Sequence, residues 1–106
     1  MTTFDKREEA FEKKFTIDED LKFKSIARRN KLLGLWVAEK LGKSGPEAEA
    51  YAKEMVVAEI DGGDAGVIRK AMGDLAAQKS AITEADLGAK MTELLAVAVA
   101  QVKAGK

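Results

Sequence analysis

An all-α fold is predicted for this chain of 106 residues, and three observations support the prediction. The residues that favour helix, Ala, Lys, Glu, Leu and Met, recur throughout, whereas the β-branched and aromatic runs typical of strands are missing. Apolar residues return at steps of three and four along several segments. The sequence holds one proline, Pro46, at a place where a helix can begin. A chain of this length can bury roughly two thirds of its unfolded surface as one domain.

The first predicted helix runs over about 18–41, and the second over about 46–61. Gly42 suits the position that follows the first helix, because glycine readily adopts the left-handed conformation that ends helices. Pro46 suits the first turn of the second helix, because the N–H that proline lacks would be unpaired there. The pair Gly62–Gly63 is expected to end that helix.

A third helix is predicted over about 64–78, with Asp64 as its N-cap, and a fourth over about 83–104. Thr83 and Asp86 stand at the spacing of a capping box at the start of the fourth helix. Short connections place consecutive helices side by side and antiparallel. The sequence therefore predicts a four-helix bundle over 18–106, preceded by a separate N-terminal arm, residues 1–17.

Composition argues against several classes of function. The chain has 18 basic and 18 acidic residues, no cysteine and no histidine. Zero net charge gives no overall field towards nucleic acid or an anionic membrane. Without histidine the chain lacks the commonest general base and the commonest metal ligand, and without cysteine it can form neither disulfides nor thiolate metal sites. We therefore expect a binding protein without cofactor or metal, not an enzyme. No uncharged run is long enough to cross a membrane, and the first residues are too charged for a signal peptide.

The arm, residues 1–17, combines many charges with three aromatic rings. Phe4, Phe11 and Phe15 are seven and four residues apart and would share one helical face. A helix this short is marginal alone. We expect the arm to be frayed or disordered when free and helical when a partner covers the rings; packing of the rings on the bundle itself is the alternative.

Two other features were weighed as sites. Residues 21–38 carry five basic side chains and no acidic one, so Arg28, Arg29 and Lys31 are candidate anion-binding residues. The alternative is pairing with the acidic segment 47–64 inside the bundle. The glycine-rich stretch 61–66 lacks the Lys-Ser/Thr ending of a phosphate loop and the spacing of a calcium loop, which favours a helix–helix turn.

A longer pattern is more specific than these motifs. It consists of Phe15, Asp20-Leu21, Phe23-Lys24, the run ARRNKLLGLW at 27–36, Ala38-Glu39, Leu41-Gly42, EAYA at 49–52, Arg69-Lys70, Gly73-Asp74-Leu75 and the segment 91–97. With these residues the whole chain resembles the ζ subunit of α-proteobacterial F1FO-ATP synthases.

That resemblance implies a regulatory subunit. Members of the family are four-helix bundles whose N-terminal segment inhibits ATP hydrolysis by inserting at a catalytic α/β interface of F1 and reaching towards the central rotor. The positions carried over to this chain are those of the arm: Phe4, Arg7, Phe11, Glu12 and Phe15. It also implies a location at the cytoplasmic face of the inner membrane through F1, without insertion into the membrane.

The rival interpretation is a small helical sensor that binds an anionic ligand, such as a nucleotide, at Arg28–Arg29. With no histidine in the chain, the sequence offers no obvious carrier for a switch near neutral pH.

Overall fold

A computed structural model describes residues 19–106. In this part of the chain the secondary structure is helical and contains no strand, which confirms the all-α class. The helices are α1, Glu19–Lys40, α2, Pro46–Ala77, and α3, Glu84–Lys103. The predicted arm, residues 1–17, lies outside the described residues.

The helix ends follow the local signals of the sequence. Gly42 has φ +81° just after α1, where a left-handed residue closes a helix. Pro46 is the first residue of α2. At the start of α3, the backbone N–H of Asp86 donates to Thr83 Oγ1 at 3.1 Å, and the N–H of Thr83 donates to Asp86 Oδ2 at 3.0 Å. The predicted capping box is therefore present.

The predicted count of four helices is not supported, because residues 19–106 form three helical elements. The segments predicted as separate helices, 46–61 and 64–78, belong to α2, and Asp64 lies within that element instead of capping a new one. The interruption is one residue, Gly63, with φ +65° and ψ −161°. This region of backbone space is open essentially to glycine alone. Gly63 alone therefore makes the bend for which the sequence predicted a loop between two helices.

The bend at Gly63 folds α2 back on itself. In a straight helix, Tyr51 and Asp74 would be about 34 Å apart at 1.5 Å per residue. The hydroxyl of Tyr51 instead donates to Asp74 Oδ2 at 2.7 Å, and Lys70 Nζ lies 3.1 Å from Glu54 Oε1. The halves 46–62 and 64–77 therefore lie side by side and antiparallel.

Helix α1 packs against both other helices. It approaches the first half of α2 closely at Gly34, where an added Cβ would lie 2.6 Å from Ala52 Cα. On the side of α1 that faces α3, Arg28 contacts Gln101 near the end of α3. The centre of the Trp36 ring lies 5.6 Å from Nζ of Lys90, which is near the start of α3. This pairing makes α1 antiparallel to α3.

The core of the described residues draws on all three helices. Its apolar side chains are at most 4% exposed. The cluster consists of Leu33, Val37, Ala38, Tyr51, Met55, Val67, Ala71, Leu75, Leu87 and Met91. Their burial provides the main favourable term for folding.

Replacement of Gly63 by alanine should destabilise the protein by about 1–3 kcal/mol, because alanine at φ +65° is strained. Gly62→Ala is the matched control: no atom lies within 4 Å of the Cβ it would add, and alanine favours helix by up to ~1 kcal/mol over glycine. Urea unfolding followed by circular dichroism measures both. Equal stability of the two variants would contradict the assigned bend.

Gly34→Ala should also destabilise the protein, by about 1–3 kcal/mol, because the new methyl group overlaps the Ala52 backbone and forces α1 and α2 apart. Gly73→Ala, also within a helix but with open space around its Cβ, should be neutral or stabilising by up to ~1 kcal/mol. Thermal unfolding of both variants checks the contact. A Gly34→Ala protein as stable as the wild type would show that α1 and α2 do not approach so closely.

Candidate functional site

The residues predicted to engage a partner through the arm are Phe4, Arg7, Phe11, Glu12 and Phe15. All five lie outside the described residues, so their role stays a prediction. The described part of the site is the basic segment of α1 and the groups that it faces.

Arg29 lies between α1 and the bend of α2. The residue is only 4% exposed. Its Nη2 is 2.6 Å from Asp64 Oδ1 and 3.0 Å from Glu59 Oε1, and its Nη1 is 3.4 Å from Asp64 Oδ2. The guanidinium group thus joins α1 to the residues on both sides of Gly63. For Arg29, the structure shows the pairing within the bundle that was the alternative to anion binding.

Asn30 completes this cluster. Its Oδ1 accepts hydrogen bonds from Arg29 Nε at 3.1 Å and Nη2 at 3.0 Å, and its Nδ2 donates to Glu59 Oε1 at 3.2 Å. Asn30 is fully buried, and these hydrogen bonds offset the free energy lost when its amide is removed from water. We call Arg29, Asn30, Glu59 and Asp64 the Arg29 cluster.

The Arg29 cluster holds two carboxyl groups for one cation. Burial raises the pKa of Glu59 to about 7, and the neighbouring Asp64 carboxyl adds to the rise through a side-chain hydrogen bond and its charge. The hydrogen bond from Asn30 and the charge of Arg29 act in the opposite direction. A carboxyl group with this pKa titrates near neutral pH. The sequence had indicated no group that would titrate in this range.

The other candidate anion-binding residues point elsewhere. Arg28 Nη1 donates to Gln101 Oε1 at 2.9 Å and its Nη2 to the carbonyl oxygen of Lys106 at 2.5 Å. Lys31 is exposed on α1. Arg28 thus faces the end of α3 while Arg29 faces the bend of α2, so the structure does not gather these two side chains around one ligand position. Anion binding here stays a prediction.

A second polar cluster holds the two halves of α2 together. Lys70 Nζ lies 3.1 Å from Glu54 Oε1 and 3.2 Å from Asp74 Oδ2, and 4.9 Å from the centre of the Tyr51 ring. Burial, together with the hydrogen bond and charge of Asp74, raises the pKa of the Tyr51 hydroxyl above its ordinary value. Tyr51 therefore stays neutral, and its hydroxyl donates a hydrogen bond to Asp74, which supports a structural role.

A groove runs between the second half of α2 and α3. Apolar side chains such as Ile68 and Met72 line its α2 side, and Gly88 and Ala89 line part of its α3 side. The charged residues at this groove are Arg69 and Glu84, one of each sign. Arg28, Arg29 and Lys31 are not among its lining residues.

Sequence reasoning identified Arg29 and, as the alternative to anion binding, the acidic segment 47–64 as its partner, but not the individual residues Glu59 and Asp64. Asp64 was interpreted as a helix cap, and Glu59 was one of several acidic residues of the segment 47–64. The polar Asn30 within the apolar stripe of α1 was the available signal, because a buried amide requires hydrogen-bonding partners on the facing helix.

Two absences apply to residues 19–106. Within that range, no three of the His, Cys, Asp and Glu side chains come together as metal ligands. None of its helices is both long enough and apolar enough to cross a membrane.

Arg29→Gln should lower the free energy of unfolding by about 3 kcal/mol at pH 8, because it leaves two carboxylates without their buried cation. Lys31→Gln, an exposed change two residues away, should stay within about 0.5 kcal/mol of the wild type. Urea unfolding of both variants measures the difference. A loss below 1 kcal/mol in Arg29→Gln would show that the Arg29 cluster contributes little to stability.

The chain was compared with known proteins. Residues 1–101 match the family model described as ATPase inhibitor subunit zeta. A solution NMR structure is 49% identical over 81% of this chain and 99% of that chain, with a TM-score of 0.71. No curated protein matches the chain. Because the family model spans nearly the whole sequence, the resemblance drawn from the residues is confirmed, and the chain belongs to the ATPase inhibitor subunit zeta family.

Proposed function

We propose that this protein inhibits ATP hydrolysis by the F1 sector of an ATP synthase, with the arm as the inhibitory element and the bundle as its anchor. The observation that carries the proposal is the family match, which begins at residue 1 and so includes the arm. The family is named for an ATPase inhibitor subunit, which indicates a regulatory role and not a catalytic one.

The sequence of the arm supports insertion between two subunits. As a helix, ~16 residues would span about 24 Å, enough to fill a cleft. The rings of Phe4, Phe11 and Phe15 would occupy apolar pockets, and charged residues such as Arg7 and Glu12 would set the register, as in other helix-in-groove complexes. The target is a catalytic α/β interface, with the tip of the arm directed towards the rotor.

Inhibition on this account is steric. A helix wedged between two subunits prevents the interface from closing on its nucleotide, and a catalytic site that cannot close does not complete hydrolysis. The inhibitor performs no chemistry and needs no cofactor. The bundle supports this role as a folded platform with a contiguous core, whose first helix begins at Glu19, directly after the arm. The place of action is then the cytoplasmic face of the membrane that carries F1.

The test is a titration of cognate F1-ATPase with the purified protein, followed by measurement of ATP hydrolysis. The full chain should inhibit hydrolysis, and a variant lacking residues 1–17 should not inhibit it. The circular dichroism spectrum of that variant should show that it is still folded. Phe11→Ala should raise the concentration for half-inhibition about 30-fold, the equivalent of ~2 kcal/mol at an interface hot spot.

Phe23→Ala is the matched control, because Phe23 lies on α1 outside the arm and is 71% exposed. It should inhibit like the wild type. Full hydrolysis at saturating wild-type protein would contradict the inhibitory function. Inhibition by the truncated variant as strong as that of the full chain would place the effector in the bundle instead of the arm.

A further inference from the structure

The Arg29 cluster has an imbalance of charge that the proposed function does not use. Around Glu59, helix α1 contributes one cation, Arg29, and one neutral amide, Asn30, while α2 contributes a second carboxyl group, Asp64. With both carboxylates ionised, the cluster carries a net charge of −1; with one proton added, it is neutral. Arg29 and Asn30 are buried, and a net charge beside buried groups costs free energy. The neutral, singly protonated state of the cluster is therefore favoured over the state with a charge of −1.

The cluster also lies where the fold depends on it. Its members come from α1 and from both sides of Gly63, so it joins three segments at once: α1, the end of the first half of α2 and the start of the second. Glu59 Oε1 and Asp64 Oδ1 both contact the same atom, Arg29 Nη2, at 3.0 Å and 2.6 Å, so the two carboxyl groups are neighbours around one cation. Two carboxylates have only acceptors, so they can attract each other through a hydrogen bond only when one of them carries a proton.

We propose that Arg29, Glu59 and Asp64 form a proton-operated latch, which holds α1 and the two halves of α2 together at the bend when one of the two carboxyl groups is protonated and loosens when that proton leaves. The proposal does not rest on the inhibition of F1, because it concerns the bundle alone.

The direction of the pH dependence follows from the pKa of Glu59, which rises from 4.5 to about 7 in the folded protein. The folded state binds this proton more tightly than the unfolded chain does. Its contribution to stability is therefore complete below about pH 4.5 and is lost as the pH rises through about 7. The bundle should be less stable at pH 8 than at pH 5.

Few other groups should obscure this change. The chain has no histidine, the side chain that ordinarily titrates in this range. The hydrogen bonds from Thr83 lower the pKa of Asp86 further into the acid range, and the pKa of Tyr51 is raised. These two groups therefore keep one charge state between pH 5 and 8.

The experiment is a titration of the full chain by carbon-detected NMR of the side-chain carboxyl groups, combined with thermal unfolding between pH 5 and 8. In the wild type, Glu59 should titrate near pH 7, and the Tm should fall by several degrees from pH 5 to pH 8. In Glu59→Gln, whose neutral amide resembles the protonated carboxyl group, the fall in Tm should be absent. Glu49→Gln is the control: Glu49 is exposed on the same half of α2, and the variant should keep the wild-type fall.

Asp64→Asn is the second variant, and it serves as well if Glu59→Gln does not fold. Without the second carboxylate, Glu59 should titrate at least one pH unit lower than in the wild type. Titration of wild-type Glu59 near its ordinary pKa would overturn the proposal. A fall in Tm that is equal in the wild type and Glu59→Gln, or one that Glu49→Gln abolishes as well, would do the same.

Discussion

The buried guanidinium group of Arg29 is the interaction on which the arrangement of the bundle depends. It reaches from α1 to Glu59 before the bend and to Asp64 after it, so one cation fixes the position of α1 relative to both halves of α2. The apolar core alone would not specify this register, because hydrophobic contacts are non-directional. The hydrogen bonds to Asn30 and the two carboxyl groups supply the direction.

The predictability of this fold from sequence varies with the range of the interaction. The capping box at Thr83, the start of α2 at Pro46 and the left-handed Gly42 were predicted, because each is decided within a few residues. The count of four separate helices is not supported, because the same glycine pair is compatible with a loop or with a single bent residue, and only tertiary packing selects between them. Arg29 was a candidate residue, and charge complementarity indicated the acidic segment 47–64 as its alternative partner. The sequence did not indicate which carboxyl groups of that segment it contacts, because they lie 30 and 35 positions away.

The chain combines two parts with different physical requirements. The bundle needs a close approach at Gly34, a bend at Gly63 and paired buried charges, which together produce a defined platform. In the proposed function, the bundle anchors and the arm, with its rings and charges, blocks the catalytic interface. The proposed latch would make the bundle sensitive to pH without histidine, because burial, together with the neighbouring Asp64 carboxyl group, raises the pKa of Glu59 to about 7.

The most direct test of the central claim is site-specific photo-cross-linking of the arm to F1. A photoreactive amino acid at position 11, in the full chain bound to cognate F1, should cross-link to both α and β subunits during inhibition. The same group at position 23, on the exposed face of α1, serves as the reference for contacts made by the bundle. Cross-links from position 11 that avoid the α and β subunits while hydrolysis is inhibited would contradict insertion of the arm at a catalytic interface.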